Sequence, residues 1–140
     1  MAYDTNNIFA KMLRGEIPAI KVYEDDHTLA FMDIMPQADG HTLVIPKEEA
    51  ETIFDLSDEG AAAWMSSVRK VGAAVKKAFN APGVVVFQLN GKGAGQTVPH
   101  VHFHVIPGSI ADLRKPHAAT QADAELLSEQ AEKIKAALND

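Results

Sequence analysis

The sequence contains no cysteine, which excludes a disulfide framework, a thiolate zinc site and a cysteine nucleophile. Basic residues are scarce: 13 lysines and arginines against 19 acidic residues leave a net charge of −6. That balance argues against a nucleic-acid sleeve or a basic membrane binder, either of which needs a dense positive face. It leaves room for a nucleotide substrate, which needs only a few local donors. Nowhere is there a run approaching the ~18 apolar residues of a spanning helix, and the start, MAYDTNNIFAKMLRG, carries no long apolar stretch of a signal peptide. The expectation is a cytoplasmic protein. Repeats, low-complexity tracts and Pro/Ser-rich linkers are also missing, so residues 1–140 are expected to form one domain.

What is present fits a packed core. Apolar residues make up 46% of the 140 and charged residues 23%, ordinary globular usage. Residues 4–13 read as a short helix with Ile8, Phe9, Met12 and Leu13 on one face, stopped by Gly15. Strands are expected at 20–23, 28–34 and 41–45, the first two joined by a polar turn. The longest helical signal, 58–79, places Trp64, Val68, Val71, Val75 and Phe79 on one face, with Ser57 as its cap. Strands at 84–89 and 98–106 flank a glycine-rich loop, and after a loop from Pro107 to His117 a last helix covers about 122–138. Connections between the first three strands are too short for parallel crossovers, so the class is α+β with an antiparallel five-stranded sheet.

Three of the six histidines fall in one stretch, His100-Val101-His102-Phe103-His104-Val105-Ile106. On a strand the histidines share one face, while Val101, Phe103 and Val105 share the other. Two chemistries compete for such a face. A metal could use a His-x-His pair, with His41 and Asp33 available to complete it. However, a rise of ~3.3 Å per residue sets His100 and His104 ~13 Å apart, too far for one ion to gather all three. Alternatively, an imidazole attacks phosphorus and forms a phosphohistidine-type intermediate, the middle histidine serving as nucleophile and its neighbours fixing tautomer and donating protons. The preceding loop, Asn90 to Thr97, favours the second chemistry, because its backbone N–H groups could form an anion-binding nest. It is not a Walker A loop, since a strand follows it.

His100 to Ile106 matches the signature His-φ-His-φ-His-φ-φ, with φ apolar, and the chain resembles the Hint-like branch of the histidine triad (HIT) superfamily in a bacterial-type version. The likeness covers roughly residues 6–108 and is strongest in 8–47 and 95–108. It implies a homodimer whose sheets run together, no cofactor, and nucleotidyl hydrolase or transferase activity on purine nucleotides. By position, His102 corresponds to the nucleophile, His100 and His41 to histidines that orient it and relay protons, and His104 to the phosphate or leaving-group partner. Asp33 falls where the family holds the ribose, and Asn90, Gly95, Gln96 and Thr97 fall along its phosphate loop. Ile8, Phe9, Phe31 and Ile34 fall near its base pocket. Thr97 keeps the hydroxyl of the serine common in animal relatives. Nucleoside phosphoramidates or aminoacyl-nucleotides are the favoured substrates. The alternatives are dinucleoside polyphosphates, or a nucleotide-binding scaffold without catalysis.

Overall fold

Alternating apolar residues along five strands build one antiparallel sheet, in the order β1-β2-β3-β5-β4. In this computed structural model, which describes residues 2–113 and 121–139, the strands are β1 (Lys21–Glu24), β2 (Thr28–Met32), β3 (Thr42–Pro46), β4 (Val84–Gln88) and β5 (Phe103–Pro107). Helix α1 (Ile8–Leu13) precedes them, α2 (Asp58–Ala78) joins β3 to β4, and α3 (Ala124–Leu138) follows β5.

Helices α2 and α3 cover one face of the sheet. Ala30, Met32, Val44 and Val105 meet Trp64, Val68, Val71 and Val75 of α2 and Leu127, Ala131 and Ile134 of α3 in the main core. The 21-residue α2 begins as expected, Ser57 accepting from the Gly60 N–H. The opposite face carries a smaller core of Leu29, Phe31, Leu43 and Ile45, capped by Phe9 of α1. Strand alternation sends Leu29 and Phe31 one way and Ala30 and Met32 the other, which is how one sheet serves two unlike surfaces.

Several boundaries differ from the sequence reading for local reasons. Helix α1 starts at Ile8 because the Asn7 side chain accepts from the Ala10 N–H and so caps the helix there. Gly15, at φ +78°, ends the helix as expected. Strand β2 stops at Met32, since Asp33 Oδ1 turns back to accept the Met35 N–H. The larger correction concerns the last strand, expected at 98–106. Strand β5 begins only at Phe103, because Pro99 has no N–H for the ladder and the His100 and Val101 N–H groups go to Val98 and Ala50 carbonyls. Only His104 of the three histidines therefore lies within a strand. The loop expected to run to His117 falls partly outside the described residues, as does His117 itself.

Candidate active site

The three histidines of the signature are buried, His100 at 0%, His102 at 5% and His104 at 1% exposure. Fixed backbone groups around them decide where their protons sit. His102 Nδ1 lies 2.7 Å from the His100 carbonyl oxygen, which can only accept, so Nδ1 carries the proton. That leaves His102 Nε2 as a lone pair, and His102 lines the cleft described below. His41 shows the opposite arrangement. The Gln37 N–H donates to His41 Nδ1 at 2.9 Å, so the proton of this ring is on Nε2. His41 Nε2 stands 2.9 Å from His104 Nδ1 and 3.3 Å from Asp33 Oδ2, both acceptors for that proton. His104 accepts on Nδ1 and therefore carries its own proton on Nε2. Phe87 of β4, directly opposite His104 in the ladder, stacks on its ring at 4.3 Å and holds it flat against the sheet.

His100 departs from the expected relay role. Its Nε2 donates to the Pro46 carbonyl at 2.8 Å, and its Nδ1 accepts from the Tyr3 hydroxyl, so neither ring nitrogen is left for His102. Burial holds this imidazole below its ordinary pKa, against an opposing pull from the Pro46 carbonyl. What His100 offers His102 is its backbone carbonyl.

The cleft lies over the smaller core and is open to solvent, with about 570 Å³ of empty space when the solvent side is included. His102, His104, Asp33 and Thr97 line it, together with all four residues expected of a base pocket, Ile8, Phe9, Phe31 and Ile34. Phe9 and Phe31 form a buried floor, 4% and 2% exposed, and also belong to the core. Ile8 and Ile34 stand at the mouth with 46% and 42% exposure, apolar surface that core packing does not account for. Met12 and Leu43 also line the cleft, though they were not among the expected site residues. Met12 was legible as one helical turn beyond Ile8; Leu43 needed the pairing of β3 with β5, in which it sits opposite His104.

The phosphate loop divides. Thr97 reaches the cleft; Asn90, Gly95 and Gln96 do not line it. Asn90 exchanges amide hydrogen bonds with Gln88 and accepts from the Ile53 N–H. Gln96 accepts from the Gly91 N–H and donates to the Glu51 and Val98 carbonyls. Gly95 adopts φ +105° and closes the 92–94 turn. The Asn90 and Gln96 side chains and the Gly95 turn thus brace the loop from within.

The metal reading has a geometric candidate, since ligand atoms of Asp33, His41 and His104 lie within 4.8 Å of one another. The donor set does not fit. The Gln37 N–H places the proton of neutral His41 on Nε2, the nitrogen facing the other two, and a protonated nitrogen cannot ligate.

Fold and cleft together define a class: a small α+β domain whose histidine-bearing sheet face looks onto an apolar cleft. The chain belongs to the HIT family, whose HIT domain matches residues 14–110. It is 49% identical, at a TM-score of 0.87, to the crystal structure of a Hit-like protein involved in cell-cycle regulation from Bartonella henselae, covering 97% of this chain and 99% of that one. It is 45% identical over 102 residues to Protein hit of Bacillus subtilis, covering 73% of this chain and 70% of that protein. It is 47% identical over 100 residues to adenosine 5'-monophosphoramidase hnt1 of Schizosaccharomyces pombe, covering 71% and 72%. None of the described helices is long and apolar enough to cross a membrane.

Proposed function

We propose that the chain hydrolyses the bond between the α-phosphorus of a purine nucleotide and an amine or acyl-type leaving group, by way of a nucleotidyl–His102 intermediate. The observation that carries this reading is the His102 tautomer: Nδ1–H donates to the His100 carbonyl, which in the neutral ring puts the nucleophilic lone pair on Nε2. In the first step His102 Nε2 attacks phosphorus and the bond to the leaving group breaks; His104 Nε2–H donates a hydrogen bond to that group, and an amine leaving group takes its proton from water. The imidazolium that forms on His102 keeps its Nδ1–H on the His100 carbonyl. In the second step the hydroxide left by that transfer, or water that gives its proton to solvent, attacks phosphorus, and the bond to His102 breaks to restore the neutral ring. Two in-line displacements give net retention at phosphorus.

His41 holds the His104 proton in place, and Asp33, at the cleft wall beside Ile34, takes the ribose hydroxyls. Thr97 contributes its hydroxyl to the phosphate. The apolar cleft between Ile8, Phe9, Phe31 and Ile34 takes the flat base. The phosphoramidase activity named for the fission-yeast relative supports the amidate class. So does the sequence itself: Lys92 is the sole cation of the loop and no arginine stands from residue 70 to 113, whereas a polyphosphate chain calls for an arginine fork. No metal takes part in this scheme, so activity survives exhaustive chelation.

A homodimer completes the proposal. Strand β4 pairs with β5 alone and ends the sheet, with Val86 43% exposed on it, the kind of edge a second copy covers. Light scattering at micromolar concentration is expected to give twice the chain mass; the mass of a single chain overturns it. The test of function is a side-by-side kcat/KM for adenosine phosphoramidate and a diadenosine polyphosphate, with His102→Ala as control. A preference of about tenfold for the polyphosphate, ~1.4 kcal/mol in transition-state binding, overturns the substrate class. Near-wild-type turnover by His102→Ala overturns the mechanism.

A further inference from the structure

Helix α3 lies beyond the segment matched by the family and contributes no residue to the cleft lining, yet it is bonded to the loop that carries Asp33 and His41. Its buried face reads Leu127, Gln130, Ala131, Ile134. Glutamine in the middle of an apolar face costs stability unless both ends of its amide are met. At 4% exposure Gln130 has both met, and by the same loop. Its Oε1 accepts the Gly40 N–H at 3.0 Å, and its Nε2 donates to Asp39 Oδ1 at 3.1 Å. A second bond ties the helix entrance to the loop's other arm, the Ala122 N–H donating to the Ile34 carbonyl at 2.8 Å.

The loop is internally closed. The Asp33 N–H donates to the His41 carbonyl, the His41 N–H to the Ala38 carbonyl, and the Gln37 N–H to His41 Nδ1. Internal bonds of this kind fix its shape; they do not fix where it stands against the sheet. Gly40 is where that is decided, held at φ +85° with the Phe79 ring so near that an added Cβ would come within 2.7 Å of it. Gln130 grips this glycine and the residue before it.

We propose that Gln130 is a positioning residue of the active site: by holding Asp39 and Gly40 it sets the loop in which the Gln37 N–H fixes the His41 tautomer, and with it the proton on His104. The inference rests on the hydrolytic reading of His104 given above. It places a working part of the site on a helix outside the matched HIT segment. It also explains a polar residue where leucine or methionine would pack.

The experiment compares Gln130→Leu, Gln130→Glu and the exchange Gln130→Glu with Asp39→Asn. Gln130→Leu removes both bonds, and Gln130→Glu sets two carboxylates against each other. The exchange restores an amide-to-carboxylate bond of reversed polarity while a carboxylate oxygen still faces the Gly40 N–H. With adenosine phosphoramidate, the single variants are expected to lose kcat by about tenfold or more with KM changed less than about threefold. The exchange is expected to return kcat to within about threefold of the parent. A folded Gln130→Leu within about twofold of the parent, or an exchange that fails to rescue, overturns the proposal. Should Gln130→Leu not fold, Gln130→Glu and the exchange decide alone. Long-range ¹H–¹⁵N spectra of His41 separate this inference from the functional reading. If the parent does not turn over the amidate, that reading fails, and an unchanged His41 tautomer signal in Gln130→Glu then overturns the clamp as well.

Discussion

The two faces of the sheet are made by the same strands and finished in different ways. On one, Ala30, Met32, Val44 and Val105 are sealed under two helices of 21 and 15 residues. On the other, Leu29, Phe31 and Leu43, with His104 opposite Leu43, are capped by a helix of only six residues. What that short helix leaves open is the cleft. The sealed face is mostly apolar, and polar groups on it are paired, as where Thr28 meets Ser67 at 2.6 Å. The open face places ring nitrogens among phenylalanines, and backbone groups set the tautomers of His41, His100 and His102. Stability is concentrated on the first face and chemistry on the second.

Substitutions on the two sides should therefore separate cleanly. The largest effect is expected from His102→Ala, a loss of at least about 10³-fold in kcat, because it removes the proposed nucleophile. Its melting temperature and its affinity for AMP should stay close to the parent. On the sealed face Val105→Ala removes two buried methyl groups and is expected to cost about 2 kcal/mol of stability. Its kcat at a temperature where it is folded should be unchanged. Denaturant titrations beside initial rates check both, and a Val105→Ala variant that loses kcat like His102→Ala breaks the division.

Gly40→Ala is the next test, since it attacks the join between the faces. The new methyl group would meet the Phe79 ring at 2.7 Å and impose a side chain on φ +85°. Overpacking and strain together are expected to cost about 3 kcal/mol. Because the same glycine precedes His41, kcat should fall as well, and a variant that only lost stability would confine Gly40 to the fold.

The sealed face could be read in the sequence almost entirely. Trp64, Val68, Val71 and Val75 recur at helical spacing, and Ser57 announces the start of α2. The open face could be read only as a set of residue types. The histidine spacing and the family resemblance pointed to His102, His104, His41 and the four apolar cleft residues, all of which the fold brings together. They did not separate Thr97, in the cleft, from Asn90 and Gln96, which brace the loop from within. The reason is physical: polar residues in a glycine-rich turn look alike whether they face a ligand or the backbone, and only the tertiary path decides. Tyr3 and Gln130 carried no local signal, because their partners are 97 and 90 residues away.

Tyr3→Phe gives a smaller effect on the open face. The hydroxyl accepts from Asn7 and donates to His100 Nδ1. His100 is wholly buried, so loss of that donor leaves a polar atom unmet, at an expected cost of about 2 kcal/mol. His102 depends on the carbonyl of His100 and not on its ring, so kcat should fall only a few-fold. A drop as large as that of His102→Ala would return the His100 ring to the chemistry.

Acid titration supplies the last and smallest contrast, between His100 on the open face and Asp25 in the β1–β2 turn. Burial lowers the His100 pKa below 6.5, so beneath that value the unfolded chain binds the proton more readily than the folded one. Its contribution is complete above pH 6.5 and is lost as pH falls toward the folded value. Burial pushes the Asp25 carboxyl up, but hydrogen bonds from the Tyr23 hydroxyl, the His27 and Thr28 N–H groups and the Thr28 hydroxyl outweigh it and hold the pKa at about 2, against an ordinary 3.8. Its stabilisation is present above the ordinary value and disappears between the two, an expected about 1–2 kcal/mol. Melting curves from pH 7 downward should thus fall in two stages, the first beginning near pH 6.5 and the second below pH 4. Asp25→Asn should flatten the second stage and leave the first in place. A single stage unaffected by Asp25→Asn would show that the turn carboxylate contributes nothing, and would place the acid sensitivity on the histidine face alone.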